Sequence, residues 1–146
     1  MGLRSKTRPY LISKVAYGQV EALYPLLYSQ VFKVADPAHQ PAFVYIGRRE
    51  DEYVGFVAAY AHNLETVYIQ YAGMLPEFQG YPALPFFKQA FEAIHEEYRF
   101  ILTVIENTNV RALKGAMTFG FRVIGIRMAT DGSLMVELLK EKTCPS

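Results

Sequence analysis

Between Thr66 and Glu106 the chain reads strand, loop, helix, strand, and that order restricts everything around it. "TVYIQYAGM" is rich in β-branched and aromatic residues that suit a pleated, half-buried surface. "FILTVIE" is short and almost wholly apolar, which fits a strand buried on both faces. Between them "PALPFFKQAFEAIHEEY" lines Phe87, Ala90, Phe91, Ile94 and Tyr98 along one helical face. Its prolines fall in the first turn, where a missing N–H costs little. Two strands joined through a helix lie parallel, by a right-handed crossover. The remaining strands are linked so as to pair antiparallel. The fold class expected is α/β of the α+β type, with a mixed, mostly antiparallel sheet and helices on both faces.

The flanking segments complete the order. "RPYLISKVA" alternates as a first strand, and Val20, Leu23, Leu27, Val31 and Val34 then form a helical stripe. Pro25 lies inside that stripe and predicts a kink or a break into two shorter helices. After the loop "DPAHQP", "AFVYIGRRE" and "EYVGFVAAYAHN" form a hairpin around Asp51. "NTNVRALKGAMTFG" reads as a helix with Asn107 or Thr108 as N-cap and Gly120 closing it. "FRVIGIRMA" and "SLMVELLKE" form the last hairpin, and Asp131-Gly132 between them is a type I′ turn signal. The order is β-α-β-β-β-α-β-α-β-β over one domain, residues 1–146, with no repeat or linker.

Charge and cysteine content exclude several classes. Fifteen Lys and Arg against fourteen Asp and Glu give a net charge of +1, with no basic excess of the kind nucleic-acid binders carry. The single cysteine, Cys144, rules out a disulfide within the chain and fits a reducing compartment. No apolar run nears the roughly 18 residues of a membrane helix and the N-terminus lacks a signal-peptide core, so the expectation is a cytoplasmic protein without a membrane partner. His39, His62 and His95 show no metal-ligand spacing, and His95, among Glu92, Glu96 and Glu97, reads as part of a solvated polar face. The eleven Tyr and ten Phe read as core and interface filler.

Two stretches point towards chemistry. "MLPEFQGYPALPFF" runs from a strand end through a loop into a helix N-terminus, where converging N–H groups can hold an anion. Gly73 before it is either a bulge turning backbone amides outward or a relief of crowding beside Tyr71. Glu106, at the carboxyl end of the apolar strand, can accept a proton directly or through water, or help cap the next helix. Gln70 and Tyr68 can orient a substrate or pack across strands.

"NVRALKGAMTFGF", with Asn109, Ala112, Gly120 and Phe121, together with "MLPEFQG", resembles the GNAT superfamily of N-acyltransferases, and the element order matches from about Arg8 to Glu141. The resemblance implies transfer of an acetyl or other acyl group from acetyl-CoA to a small-molecule or protein amine. It implies two parallel strands that splay around the pantetheine arm, with Met74 offering backbone. Gly73, Gln79, Gly80, Tyr81, Ala83, Leu84, Asn109 and Ala112 would complete the cofactor site. A homodimer or larger assembly is compatible with it.

The chain also departs from that pattern. Pro82 and Leu84 stand where small residues are usual, and Pro82 and Pro85 have no N–H to donate. Ala116 stands where a proton-donating Tyr is common. A second expectation is therefore a catalytically degenerate scaffold or protein-binding module, as in small phage-encoded relatives, using Tyr81, Phe86 and Phe87 as a contact surface.

Overall fold

The computed structural model describes residues 10–34, 40–78 and 83–143. Strand β1 (Leu11–Ala16) leads into a helical rod, α1, over residues 17–31. Strands β2 (Phe43–Arg49), β3 (Glu52–Ala61) and β4 (Thr66–Met74) follow, then α2 (Ala83–Ile94), β5 (Phe100–Glu106), α3 (Val110–Thr118), β6 (Arg122–Met128) and β7 (Leu134–Glu141). All seven strands join one sheet in the order β1-β2-β3-β4-β5-β7-β6, and β4 with β5 is its parallel pair. Element order and sheet type are those expected from the sequence.

The two sides of the sheet carry separate cores. On one, α2 packs Phe86, Ala90, Phe91 and Ile94 over Tyr45, Val57, Val67, Ile101 and Leu138. On the other, the rod packs Val20, Leu27 and Val31 over Val44, Phe56 and Ala58. The rod changes pitch instead of breaking at Pro25: it is 3₁₀ over Tyr17–Leu23, α over Tyr24–Leu26 and π over Leu27–Val31. The kink falls at Val20 (φ −111°, ψ 25°), while Pro25 sits in the first turn of the α segment, where its missing N–H has no partner to lose. "FILTVIE" is not buried on both faces; among its residues only Ile101 is fully buried, because among the described residues no helix lies over β5 on the rod side. Nor is the Asp131-Gly132 turn of type I′. Gly132 alone has positive φ (89°), and Gly132 N–H to Ala129 O with Ala129 N–H to Ser133 O describes a three-residue loop closed by a glycine bulge.

One contact seats α2. Gly47 and Gly55 face each other across β2 and β3, and the fully buried Phe86 ring lies flat against both. A Cβ on Gly47 would come within 2.2 Å of that ring, and one on Gly55 within 2.6 Å. The far end of α2 is tied by the Lys14–Glu97 salt bridge (2.9 Å), with Lys14 Nζ 4.1 Å from the Phe43 ring centroid.

His95 corrects the expectation of a solvated face. The helix ends at Ile94, so His95 turns back on the core, keeps 7% of its surface exposed and places Nδ1 2.9 Å from the Tyr98 carbonyl. Burial, aided by Lys140 and Lys142, holds its pKa below the usual 6.5, against the raising effect of the Tyr98 carbonyl. The unfolded chain therefore binds a proton near pH 6.5 that the folded chain refuses. Stability is full above that pH and declines as the pH falls from it towards the lower folded value. Urea titrations of wild type and His95→Gln between pH 8 and 5 should show that slope shrinking in the variant.

Candidate functional site

The parallel pairing of β4 and β5 covers Thr66–Phe100 to Ile69–Thr103 and stops there, although both strands continue. Beyond that point they diverge into a fork. At its crotch the Thr103 hydroxyl donates to the Ile69 carbonyl (3.2 Å).

The cause of the divergence lies on β4. Its register against β3 passes from Ala59–Ile69 to Ala58–Tyr71, leaving Gln70 as the extra residue of a bulge. A bulge bends its strand and sharpens the twist, which turns β4 from β5. The expectation of a bulge at Gly73 is thus corrected: Gly73 pairs regularly with Phe56. It is glycine because a Cβ there would sit 2.7 Å from the Val31 carbonyl at the end of the rod.

Strand alternation then decides which backbone groups face the fork. Leu75 N–H donates to Val54 O, so Leu75, Gly73 and Tyr71 direct their polar groups at β3, and Ala72 and Met74 direct theirs at the fork. From the other side, Asn107 N–H to Leu134 O sets β5 so that the Val104 carbonyl faces it. Met74 keeps its side chain buried in the core, as a residue offering only backbone should.

The rod-side face of the fork carries the polar groups. Tyr68 is half-buried, its ring stacked on Tyr60 at 5.2 Å. Burial raises the Tyr68 pKa above 10.0; nearby Arg127 pulls it back in part, and Tyr60 and Glu137 raise it further. Its hydroxyl is therefore a proton-bearing donor at neutral pH. Glu137 pairs with Val104 on the neighbouring strand, and the missing side chain of Gly125 leaves room for its carboxylate. Arg127 and Glu137 were not expected from the sequence, since they lie on the last hairpin and reach Tyr68 only through the strand order β4-β5-β7-β6.

The other expected residues divide. Glu106 ends β5 exposed; its carbonyl, not its carboxylate, engages the next helix by accepting Asn109 N–H (2.9 Å). Asn109 is the N-cap in place of Asn107 or Thr108, its Oδ1 accepting Ala112 N–H (3.2 Å), and Gly120 closes α3 at φ 95°. Gln79, Gly80, Tyr81 and Pro82 lie outside the described residues, and Ala83 is the first residue of α2. Leu84, in the first turn of α2, keeps 45% of its surface exposed. Ala116 packs on the core, and the Thr118 hydroxyl is spent on the Lys114 carbonyl (2.9 Å). Phe86 is fully buried and Phe87 half-buried, which removes both from the contact surface expected of a scaffold.

The chain has the GNAT fold. No protein-family model matches the chain, and no curated protein matches it by sequence. Solved structures match it closely in fold. An IAA acetyltransferase from Bacillus cereus superposes with a TM-score of 0.69 at 16% identity, covering 91% of this chain and 99% of that one. The ribosomal-protein-S18-alanine N-acetyltransferase from Escherichia coli gives 0.69 at 12% identity, over 94% and 96%. A GNAT family acetyltransferase from Elizabethkingia anophelis with acetyl-CoA bound gives 0.63 at 15% identity, over 92% and 99%.

Proposed function

We propose that this protein is an N-acyltransferase that moves an acetyl or related acyl group from CoA to an amine. The observation that carries the reading is the fork: two parallel strands that part at Ile69–Thr103 and turn the polar backbone of Ala72 and Met74 towards the opening. A strand edge of that kind is an extended hydrogen-bonding template, matched by the two amides of a pantetheine arm. The solved relative with acetyl-CoA supports the same donor here. The named acceptors, IAA and the S18 alanine, differ between relatives of one fold, so the acceptor of this chain is assigned only as an amine.

The chemistry then asks little of side chains. A neutral amine attacks the thioester carbonyl, a C–N bond forms, the C–S bond breaks, and the amine's extra proton leaves while the thiolate gains one. Glu106, at the mouth of the fork, takes the amine proton directly or through water. In this reading Tyr68, which keeps its proton, orients the acceptor with Gln70 at the bulge and, with Ala116 apolar and Thr118 bonded within its helix, is the hydroxyl we assign to return a proton to sulfur. Most of the rate enhancement comes from positioning the two substrates.

Calorimetry with acetyl-CoA and free CoA tests the reading, followed by thioester cleavage across a panel of amines. Binding in the micromolar range with amine-dependent CoA release is the expected result; silence at millimolar ligand would leave only the scaffold. The double variant Pro82→Gly, Leu84→Gly restores an N–H and removes bulk at the helix end, and should tighten CoA roughly tenfold.

A further inference from the structure

We infer that the groove between α2, the end of α3 and the end of β7 binds an amphipathic carboxylate, a medium-length fatty acid, at a site separate from the fork and independent of the acyl-transfer reading. The groove encloses about 820 Å³, a size suited to a small ligand. Its character changes along α2. Leu84 and Pro85 stand at the end nearest the start of the helix, Phe91 and Phe119 meet edge to face midway (5.4 Å), and His95, Lys140 and Lys142 close the far end. At 1.5 Å per residue, Leu84 and His95 lie roughly 16 Å apart along the helix. One end is thus apolar and the other cationic, as an acyl tail and its carboxylate require. Lys88 and Glu92, one turn apart on the α2 rim, offset each other, so Lys140 and Lys142 set the charge of the groove.

Strand alternation puts both lysines on the α2 side, in line with the buried Val136 and Leu138. Among the described residues neither is in an ion pair. Lys140 pairs with Ile101, and Lys142 N–H donates to Arg99 O (2.8 Å), so both stand at the start of β5, whereas the fork opens beyond Thr103. His95 supplies the second observation. It keeps 7% of its surface, and its Nδ1–H donates to the Tyr98 carbonyl, which leaves Nε2 as a lone-pair acceptor. That Nε2 is buried without a hydrogen-bond partner, a state that folded proteins rarely leave unexplained. Burial and, less strongly, Lys140 and Lys142 keep a proton off it; α3 adds Thr118 and Phe119 and no charge. A carboxylate seated beside the lysines cancels their repulsion, and Nε2 takes up a proton as the head group binds.

Calorimetry with decanoate tests the site, against decylamine (same tail, opposite charge) and acetate (same head, no tail), all below micellar concentrations. Decanoate should bind once, in the micromolar range, and the other two at least tenfold more weakly. Titrations in two buffers of different ionisation heat should show uptake of close to one proton, and affinity should fall as the pH rises from 6 to 8. His95→Gln should abolish the uptake. Lys140→Gln with Lys142→Glu should weaken decanoate at least tenfold while the melting curve stays near that of wild type. Millimolar CoA should leave decanoate binding unchanged. No heat at millimolar decanoate, equal affinity for decylamine, full affinity in the lysine double variant, proton uptake that persists in His95→Gln, or displacement by CoA would each overturn the assignment.

Discussion

Gly47→Ala should lose about 3 kcal/mol of folding stability in urea titration, near the top of the range for overpacking a core. The new methyl would lie 2.2 Å from the Phe86 ring, far inside contact distance. That ring is rigid, fully buried and pressed against Gly55 as well, so it cannot step aside without lifting the first turns of α2. Phe86→Leu alone should also destabilise. The two changes together should cost less than their sum, because the shorter side chain makes room for the methyl. Additive losses would mean that the ring does not hold the helix through these glycines. In surviving variants CoA binding should weaken with stability, since Phe86 seats the helix end that faces the fork.

Ala72→Pro should weaken CoA binding roughly tenfold or more while the melting temperature stays near that of wild type. Its N–H faces the fork and not β3, so its loss removes no ladder bond, and proline is tolerated on such an open side. Ala72→Ser keeps the N–H and should bind as wild type does. Equal affinities for all three proteins would remove the strand-edge mode of binding from the account.

The sequence was informative where cause and effect lie close along the chain. Strand and helix periods and the Gly120 stop follow from neighbours within a few residues, and the parallel crossover follows from the strand-helix-strand order they set; the cap itself falls at Asn109, one or two positions beyond the Asn107 or Thr108 expected. It misplaced what distant elements impose. Gly73 reads either as a bulge or as a relief of crowding beside Tyr71; it is glycine because the Val31 carbonyl arrives from 42 positions earlier, and the bulge is Gln70, which carries no local mark. His95 has the neighbours of a surface residue and is buried because α2 ends one residue before it. Arg127 and Glu137 join Tyr68 through strand order alone.

Taken alone, then, the amino-acid order determined which segments are strands and helices and the sense in which they connect, because those depend on side-chain period and on local caps. Only the folded arrangement decided where β4 leaves β5, which amides face the opening and which polar groups gather beside it. A bulge's position and a strand's neighbours are set by packing between residues far apart in the chain, and no local pattern encodes them.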